Sequence, residues 1–116
     1  MGSVMTNQAM EHFKSQVFLI LSETLTGECI SYGEVAKRAG FPGYARQVGQ
    51  LLKKLPKDTK LPWHRVVNAQ KRISFAENTD AYLRQRTKLE EEGWLIVGTK
   101  LTLQEKGPLN KAAQPY

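Results

Sequence analysis

The stretch Pro62-Trp63-His64-Arg65-Val66 places an indole, an imidazole and a guanidinium side by side. An imidazole is the usual side chain for moving a proton near neutral pH, normally in the service of a neighbouring nucleophile. The indole of Trp63, unlike a thiolate, has no accessible anion at neutral pH, so it cannot act as that nucleophile. The stretch therefore contains an imidazole but no neighbouring nucleophile for it to activate.

Other residues that could carry chemistry are few. The single cysteine, Cys29, cannot form an internal disulfide, which fits a reducing compartment. Its apolar neighbour Ile30 and the nearby Tyr32 predict a buried small residue. The two histidines, His12 and His64, lie far apart in the sequence, so we expect no metal site. We also expect no cofactor.

The charge balance points to a polyanionic partner. The net charge is +6 and the sequence pI about 9.6. A small basic domain most often binds nucleic acid, and the alternative is a basic protein with no such partner. No apolar stretch approaches the roughly 18 residues of a membrane span, and no basic-then-apolar secretory signal is present. We therefore expect no membrane association and a monomer, cytoplasmic and nucleoid-associated in a bacterium or nuclear in a eukaryote.

The periodicity of apolar residues predicts the elements that position these groups. A length of 116 residues fits one domain, expected over 7–104, with a flexible tail over 105–116. An amphipathic helix is predicted over 7–25. Ser31 followed by Glu34 is a capping box that starts a short helix ending at Gly40. A further helix is predicted over 44–55. The predicted buried positions of the first and last of these helices are Met10, Phe13, Val17, Ile20, Leu21, Val48, Leu51, Leu52 and Leu55.

Two short helices separated by Pro42-Gly43 form the helix-turn-helix pattern. The exposed face of the second helix carries Arg46, Gly49, Gln50 and Lys53. A glycine inside a helix costs roughly 1 kcal/mol relative to alanine. Gly49 therefore indicates a close approach, either by DNA or by a neighbouring helix.

The rest of the chain predicts a small β wing and a last helix. Val66-Val67 and Ile73-Ser74-Phe75 are expected to pair as a hairpin beside the second helix. A helix is predicted over 80–92, with Tyr82, Leu83, Arg86 and Leu89 on one side. Segments 94–97 and 100–103 alternate weakly and could form a terminal hairpin. The predicted fold is mostly α, a winged helix-turn-helix DNA-binding domain with a small β wing.

Three ordered segments resemble one known family. They are Ser31-Tyr32-Gly33, Ala45-Arg46-Gln47-Val48-Gly49 and Pro62-Trp63-His64-Arg65-Val66. The C-terminal domain of the alkylguanine-DNA alkyltransferases has Ser-Tyr-Gly, an Ala-Arg-x-Val-Gly recognition helix and a Pro-Cys-His-Arg-Val loop, in this order and at similar spacing. The resemblance covers roughly residues 13–103.

The sequence departs from that family at the reacting residue. Where the alkyltransferases have the cysteine that accepts the alkyl group, this chain has Trp63. Such a replacement is typical of the alkyltransferase-like proteins, which recognise alkylated guanine without removing the alkyl group. By resemblance, His64 and Glu92 match the pair that deprotonates the missing thiol. We expect them to be retained as architecture, with His64 orienting the loop and Glu92 supporting it.

The resemblance also implies how damaged DNA would be bound. Arg46 would enter through the minor groove and fill the gap left by a flipped nucleotide, and Tyr32 would push its phosphate. Residues expected to contact DNA are Tyr32, Ala45, Arg46, Gly49, Gln50 and Lys53, with Gln47 and Lys54 as further candidates. Residues expected to line the lesion pocket are Tyr32, Trp63, His64, Arg65, Val66 and Ser74. Trp63 could instead plug a dead pocket.

The predicted partner is double-stranded DNA containing O6-alkylguanine. The resemblance further implies hand-off to nucleotide excision repair proteins. The competing hypothesis is a winged-helix regulator or architectural protein that binds undamaged DNA, and it depends only on the helix-turn-helix pattern and the charge. A third possibility, an active alkyltransferase, is disfavoured by the missing cysteine.

Overall fold

The computed structural model describes residues 6–102, which contain four α-helices and four short strands. The elements are α1 (Asn7–Ser22), β1 (Ile30–Ser31), α2 (Tyr32–Arg38), α3 (Ala45–Lys53), β2 (Val66–Val67), α4 (Asp80–Glu91), β3 (Leu95–Val97) and β4 (Lys100–Thr102), with a 3-10 turn at Trp63–Arg65. The predicted tail over 105–116 lies outside the described residues. The chain divides into two compact units. None of the described helices is both long enough and apolar enough to cross a bilayer.

The first unit contains the residues up to Thr24 together with Tyr32–Trp63. Helix α1 begins at the N-cap Thr6, whose hydroxyl accepts a hydrogen bond from the Ala9 N–H at 3.0 Å. The helix ends at Ser22, earlier than the predicted boundary. Its buried residues are Phe13, Val17 and Leu21. Met10 is exposed and Ile20 only half-buried, so the buried stripe is narrower than the apolar pattern predicts.

Helices α2 and α3 confirm the predicted pair of short helices. The connecting turn uses Gly40 at φ 92° and Gly43 at φ 90°, a left-handed conformation that side chains other than glycine rarely adopt. Between them, the ring of Phe41 lies 5.1 Å from Phe13 and 5.8 Å from Tyr44, in edge-to-face contacts. These aromatic contacts hold the turn against α1 and so fix where α3 begins.

The second unit contains Leu25–Ser31 and the chain from His64 onward. Strand β1 pairs in parallel with β2, with Ile30 opposite Val66, and β3 pairs with β4 in antiparallel fashion. Helix α4 begins at the N-cap Thr79, whose hydroxyl accepts from the Tyr82 N–H. The core of this unit consists of Val67, Ile73, Tyr82, Leu89, Ile96 and Leu101.

The predicted wing hairpin between Val66-Val67 and 73–75 is wrong. Val66 and Val67 are buried and pair with β1, which comes from the loop after α1. The Ile73 N–H donates to the Thr99 carbonyl, and Arg72 forms a bridge with Lys100, so the returning segment joins the terminal hairpin instead. The antiparallel hairpin of this unit is therefore β3–β4, which corresponds to the terminal hairpin expected over 94–97 and 100–103.

The buried face of α4 also differs from the prediction. Tyr82 and Leu89 are buried as expected, but Leu83 is 56% exposed and Arg86 is partly exposed. Gln85 takes the inward position and is 1% exposed. A polar side chain so completely buried requires hydrogen-bond partners, and these partners lie in the loop that follows Trp63.

Candidate nucleic-acid interface

Helix α3 presents a cationic face to solvent. Arg46, Gln50 and Lys53 are all exposed and recur at four- and three-residue spacing, so they share one side of the helix. Lys54, the C-cap residue, is exposed as well, whereas Gln47 is half-buried. The helix contains no acidic residue. In contrast, arginines of the other helices are neutralised one turn away, as in the Arg38–Glu34 pair of α2 at 2.9 Å. The unneutralised face suits the phosphates of a duplex.

Tyr32 and Gly49 lie against each other within the first unit. Tyr32 is the first residue of α2 and is half-buried. A Cβ atom built on Gly49 would lie 3.6 Å from Cε2 of the Tyr32 ring, which is ordinary van der Waals contact. The structure therefore supports the alternative that Gly49 faces a neighbouring helix. Ala45, at the start of α3, is half-buried.

Trp63 is the last residue of the first unit and is 8% exposed. Its ring is therefore enclosed in the protein without DNA. The backbone continues from Trp63 through the 3-10 turn into His64 and Arg65, which belong to the second unit.

Glu92 holds those residues through their side chains. One carboxylate oxygen lies 2.7 Å from Nε2 of His64 and 2.8 Å from Nη2 of Arg65, and the other accepts from Nε of Arg65 at 3.0 Å. The Gly27 N–H also donates to Glu92, at 3.2 Å, while Nη2 of Arg65 reaches the Thr26 hydroxyl. The expected architectural pairing of His64 with Glu92 is present, and Arg65 joins it.

The two ionisable partners are shifted so that the network is stable at neutral pH. Burial would raise the pKa of Glu92, but hydrogen bonds from Arg65, His64 and the Gly27 N–H outweigh it and hold that pKa at about 2. Burial lowers the pKa of His64 more than the adjacent Glu92 raises it. The network at neutral pH is thus a neutral imidazole and an arginine on one carboxylate.

Gln85 holds the same segment through its backbone. The Nε2 group of Gln85 donates to the carbonyl oxygens of His64 and Val66, each at 2.9 Å. We did not identify this residue from the sequence. The available signal was its spacing, because Gln85, Leu89 and Glu92 occur at four- and three-residue intervals and so share a face at the end of the chain's last helix.

The remaining predicted residues are placed as follows. Val66 is buried in β2, and its carbonyl accepts from Gln85. Ser74 is exposed in the segment after Ile73. Cys29 is half-buried against the core of the second unit, and burial raises the pKa of its thiol. In residues 6–102 no group of three or more His, Cys, Asp or Glu side chains is arranged to hold a metal ion.

Comparison with known proteins identifies relatives of this arrangement. The family model described as 6-O-methylguanine DNA methyltransferase, DNA binding domain, matches residues 12–94. A DNA base-flipping protein of Vibrio parahaemolyticus is 47% identical over 85 residues, which are 72% of this chain and 82% of the relative. Alkyltransferase-like protein 1 of Schizosaccharomyces pombe is 42% identical over 92 residues, 79% of this chain and 85% of the relative.

Solved structures agree with the sequence matches. The S. pombe Atl1 structure in complex with damaged DNA containing O6-carboxymethylguanine superposes with a TM-score of 0.71 at 42% identity, over 76% of this chain and 82% of that one. The Mycobacterium tuberculosis OGT structure in complex with DNA gives 0.60 at 32% identity, over 77% of this chain and 50% of that one. The chain therefore belongs to the family defined by the DNA-binding domain of the 6-O-methylguanine DNA methyltransferases and is similar to its base-flipping and alkyltransferase-like members.

Proposed function

We propose that this protein binds O6-alkylguanine in duplex DNA, turns the damaged nucleotide out of the helix and holds it without removing the alkyl group. The single observation that carries the proposal is Trp63 in the sequence Pro62-Trp63-His64-Arg65-Val66. Relatives named for base flipping, and one solved with O6-carboxymethylguanine DNA, support the same class of ligand.

The chemistry of position 63 supports binding without transfer. Displacement of guanine at the alkyl carbon needs a soft, ionisable nucleophile, which a thiolate supplies and an indole does not. Nε2 of His64 lies 2.7 Å from a carboxylate oxygen of Glu92, so the imidazole is held by a carboxylate as a base for a thiol would be. The residue that follows Pro62 is nevertheless a tryptophan. The pair therefore serves to hold the loop. We propose that the protein is not an enzyme.

The exposed face of α3 would hold the duplex. Gln50 and Lys53 would bind phosphates, and the small side chain of Ala45 would let the backbone of the DNA approach the helix, so these contacts fix position without reading sequence. Arg46 would pass into the minor groove and occupy the space left by the flipped base. Flipping costs a few kcal/mol, which such filling offsets. Tyr32, at the start of α2, would bear on the phosphate of the flipped nucleotide.

The lesion pocket would be lined by Trp63 and by the residues that follow it. The flat face of the indole would contact the flipped base or its alkyl group, which stabilises a complex by about 1–3 kcal/mol for base–aromatic stacking. His64, Arg65, Val66 and Ser74 complete the proposed lining. Trp63 is 8% exposed without DNA, so entry of a base requires the indole or its neighbours to move.

Without turnover, the complex can only mark or shield the damage. We propose that it marks the lesion for nucleotide excision repair proteins, in whichever compartment holds the chromosome. The resemblance to the alkyltransferase-like proteins supports this step. A test is whether excision of an O6-alkylguanine lesion in a cell extract rises when the protein is added and stays unchanged with Arg46→Ala.

One experiment tests binding and the absence of transfer together. A duplex carrying O6-methylguanine with a labelled methyl group is incubated with the protein, and the complex is isolated and then denatured. We expect all label to remain on the DNA, with the protein recovered unmodified. Label on the protein would contradict the proposal. Arg46→Ala should recover little complex, and Arg84→Ala, an arginine of α4 paired with Asp80, serves as the charge-matched control.

A second candidate function is the binding of undamaged DNA, as in a regulator or an architectural protein. The observation that favours it is the cationic face of α3, which would bind any duplex. A defined preference for an undamaged sequence over O6-methylguanine DNA would select this function.

A further inference from the structure

Among the described residues of the second unit, Gln85 is the most deeply buried residue with a polar side chain, at 1% exposure. Its amide nitrogen bridges two carbonyl oxygens, those of His64 and Val66, at 2.9 Å each. Both peptide groups belong to the segment that begins at Trp63. A single side chain therefore sets the direction of two peptide planes, the one between His64 and Arg65 and the one between Val66 and Val67.

The orientation of the amide follows from its partners. Both are acceptors, so only the NH₂ group of Gln85 can face them, and the reversed amide would set its oxygen against two oxygens. Oε1 of Gln85 is then left buried with no hydrogen-bond partner. An unpaired buried acceptor destabilises a fold. The two bonds that Gln85 does make are both to the backbone of the segment 64–66.

A second residue, Glu92 at the C-cap of α4, also binds the segment 64–66. Glu92 binds the side chains of His64 and Arg65, and Gln85 binds the backbone on either side of Arg65. Leu89, fully buried in the core, lies between them on the helix. Gln85 and Glu92 are seven residues apart, which is about 10 Å along a helix. The segment 64–66 is thus fixed in side chain and in backbone by one rigid element.

We propose that Gln85 is a positioning residue for lesion recognition. By holding the carbonyl groups of His64 and Val66, it fixes the backbone of the segment 64–66, which follows Trp63 directly in the chain, in the arrangement that receives the flipped base. This inference rests on the proposed function, since it names the residue that pre-organises the proposed pocket. A rigid, pre-organised pocket loses less freedom on binding, and therefore discriminates better.

The test compares Gln85→Leu, which keeps similar volume and removes the donor, with the control Leu89→Ala. The control removes core packing on the same helix face and leaves both carbonyl bonds in place. The measured quantity is the ratio of affinities for O6-methylguanine and undamaged duplexes, with thermal stability recorded for each variant. We expect Gln85→Leu to lower the ratio tenfold or more while affinity for undamaged DNA changes less than twofold. Leu89→Ala should lower stability and leave the ratio within twofold of the parent.

A conservative variant keeps the test valid if Gln85→Leu does not fold. Gln85→Glu retains the shape, and its protonated form donates one hydrogen bond instead of two. We expect an intermediate ratio. A fall of the ratio in proportion to lost stability, equal for positions 85 and 89, would overturn the proposal, as would an unchanged ratio in every variant.

A DNA-free readout separates this inference from the proposed function. In a Trp94→Phe background, Trp63 is the remaining tryptophan of the chain, so its fluorescence emission reports its surroundings. We expect Gln85→Leu to shift that emission and Leu89→Ala to leave it unchanged. If the parent protein shows no lesion preference, the proposed function fails, and an emission shift confined to Gln85→Leu still supports the positioning role. Identical emission in both variants would overturn that role.

Discussion

Arg46 lies exposed on α3, where nothing acidic in the helix neutralises it. If it fills the gap behind a flipped base, Arg46→Ala should weaken binding to O6-methylguanine DNA by about 1–3 kcal/mol, or roughly 5- to 150-fold. Fluorescence anisotropy with a labelled duplex measures this change. Binding to undamaged DNA should fall less, because only one phosphate-type interaction is lost.

The matched control for Arg46 is Arg84→Ala, which removes the same charge from α4. That variant should bind both duplexes like the parent protein. Equal losses for damaged and undamaged DNA in Arg46→Ala would argue that the residue binds phosphate and does not enter the helix.

Trp63 distinguishes a pocket that reads the lesion from a pocket that is plugged. Trp63→Phe keeps an aromatic face in a buried position and should lower the lesion preference by a few-fold. Trp63→Ala should abolish most of the preference and also destabilise the fold by about 3–5 kcal/mol, as large-to-small changes in a core do. Titrations must therefore be run at a temperature where both variants remain folded.

Trp94→Phe is the matched control for these tryptophan variants, since Trp94 packs against the core of the second unit. Its lesion preference should equal that of the parent. If Trp63→Ala loses affinity equally for damaged and undamaged DNA, the indole only fills the pocket and does not contribute to lesion preference. Trp63→Cys should show no transfer of labelled alkyl groups, because the space around an indole does not place a thiol against the alkyl carbon.

At the scale of elements, Gly49 connects α2 and α3. An alanine Cβ there would contact the Tyr32 ring at an ordinary distance, and alanine gains about 1 kcal/mol of helix propensity over glycine. Gly49→Ala should therefore unfold at a higher temperature than the parent. If DNA backbone approaches the helix at this point, the variant should nevertheless bind duplexes more weakly. An unchanged affinity would leave packing against Tyr32 as the sole reason for this glycine.

The hydrogen bonds that join Glu92, at the end of α4, to His64 and Arg65 should make stability depend on pH. The pKa of Glu92 is about 2 in the folded protein against an ordinary value of 4.5, so the folded state binds fewer protons than the unfolded state between these values. The stabilisation is present above pH 4.5 and is lost as the pH falls toward 2. The lowered pKa of His64 acts with the same sign, beginning below its ordinary value of 6.5.

Glu92→Gln isolates the carboxylate. We expect the variant to be less stable than the parent at pH 7 by about 1.5–3 kcal/mol, the usual value of hydrogen bonds to a charged group. The two stability curves, from urea unfolding at a series of pH values, should converge as the pH approaches 2. A gap that stays constant over the whole range would contradict the assigned role of the charge.

The elements differ in how far the sequence predicts them. The turn between α2 and α3 is readable because Gly40 and Gly43 take a backbone conformation that glycine favours. The strand that pairs with Val66-Val67 cannot be predicted in the same way, because its residue Ile30 lies far away in the sequence. Both valines are also buried, so they show no alternation of apolar and polar residues. By polarity, Leu83 should be buried and Gln85 exposed, but the structure shows the reverse. The glutamine is inside because its amide donates hydrogen bonds to two backbone carbonyls.

The motifs of the candidate site were readable, whereas its support was not. Both the importance of the segment around Trp63 and the His64–Glu92 pairing follow from the resemblance. Glu92 also accepts hydrogen bonds from Arg65 and from the Gly27 N–H. These contacts join residues far apart in the sequence, so no local pattern indicates them. Roles assigned to Tyr32, Arg46 and Ser74 on DNA stay predictions.

For the whole molecule, the net charge of +6 should make DNA binding depend on salt. Each lysine that neutralises a phosphate contributes about 0.9 to the slope of log affinity against log salt concentration. Lys53→Ala should lower that slope by about this amount, equally for damaged and undamaged duplexes. Lys88→Ala, on α4, is the matched control and should leave it unchanged. A slope insensitive to Lys53 would place the phosphates elsewhere.

The central claim is that the protein prefers a duplex with one O6-alkylguanine and leaves the alkyl group in place. The most direct measurement is a pair of equilibrium titrations at one stated salt concentration, with duplexes that differ only in guanine or O6-methylguanine at a single position. We predict at least a tenfold tighter dissociation constant for the damaged duplex, with the O6-methylguanine recovered intact. Equal affinity for both duplexes, or recovery of unmodified guanine, would contradict the claim.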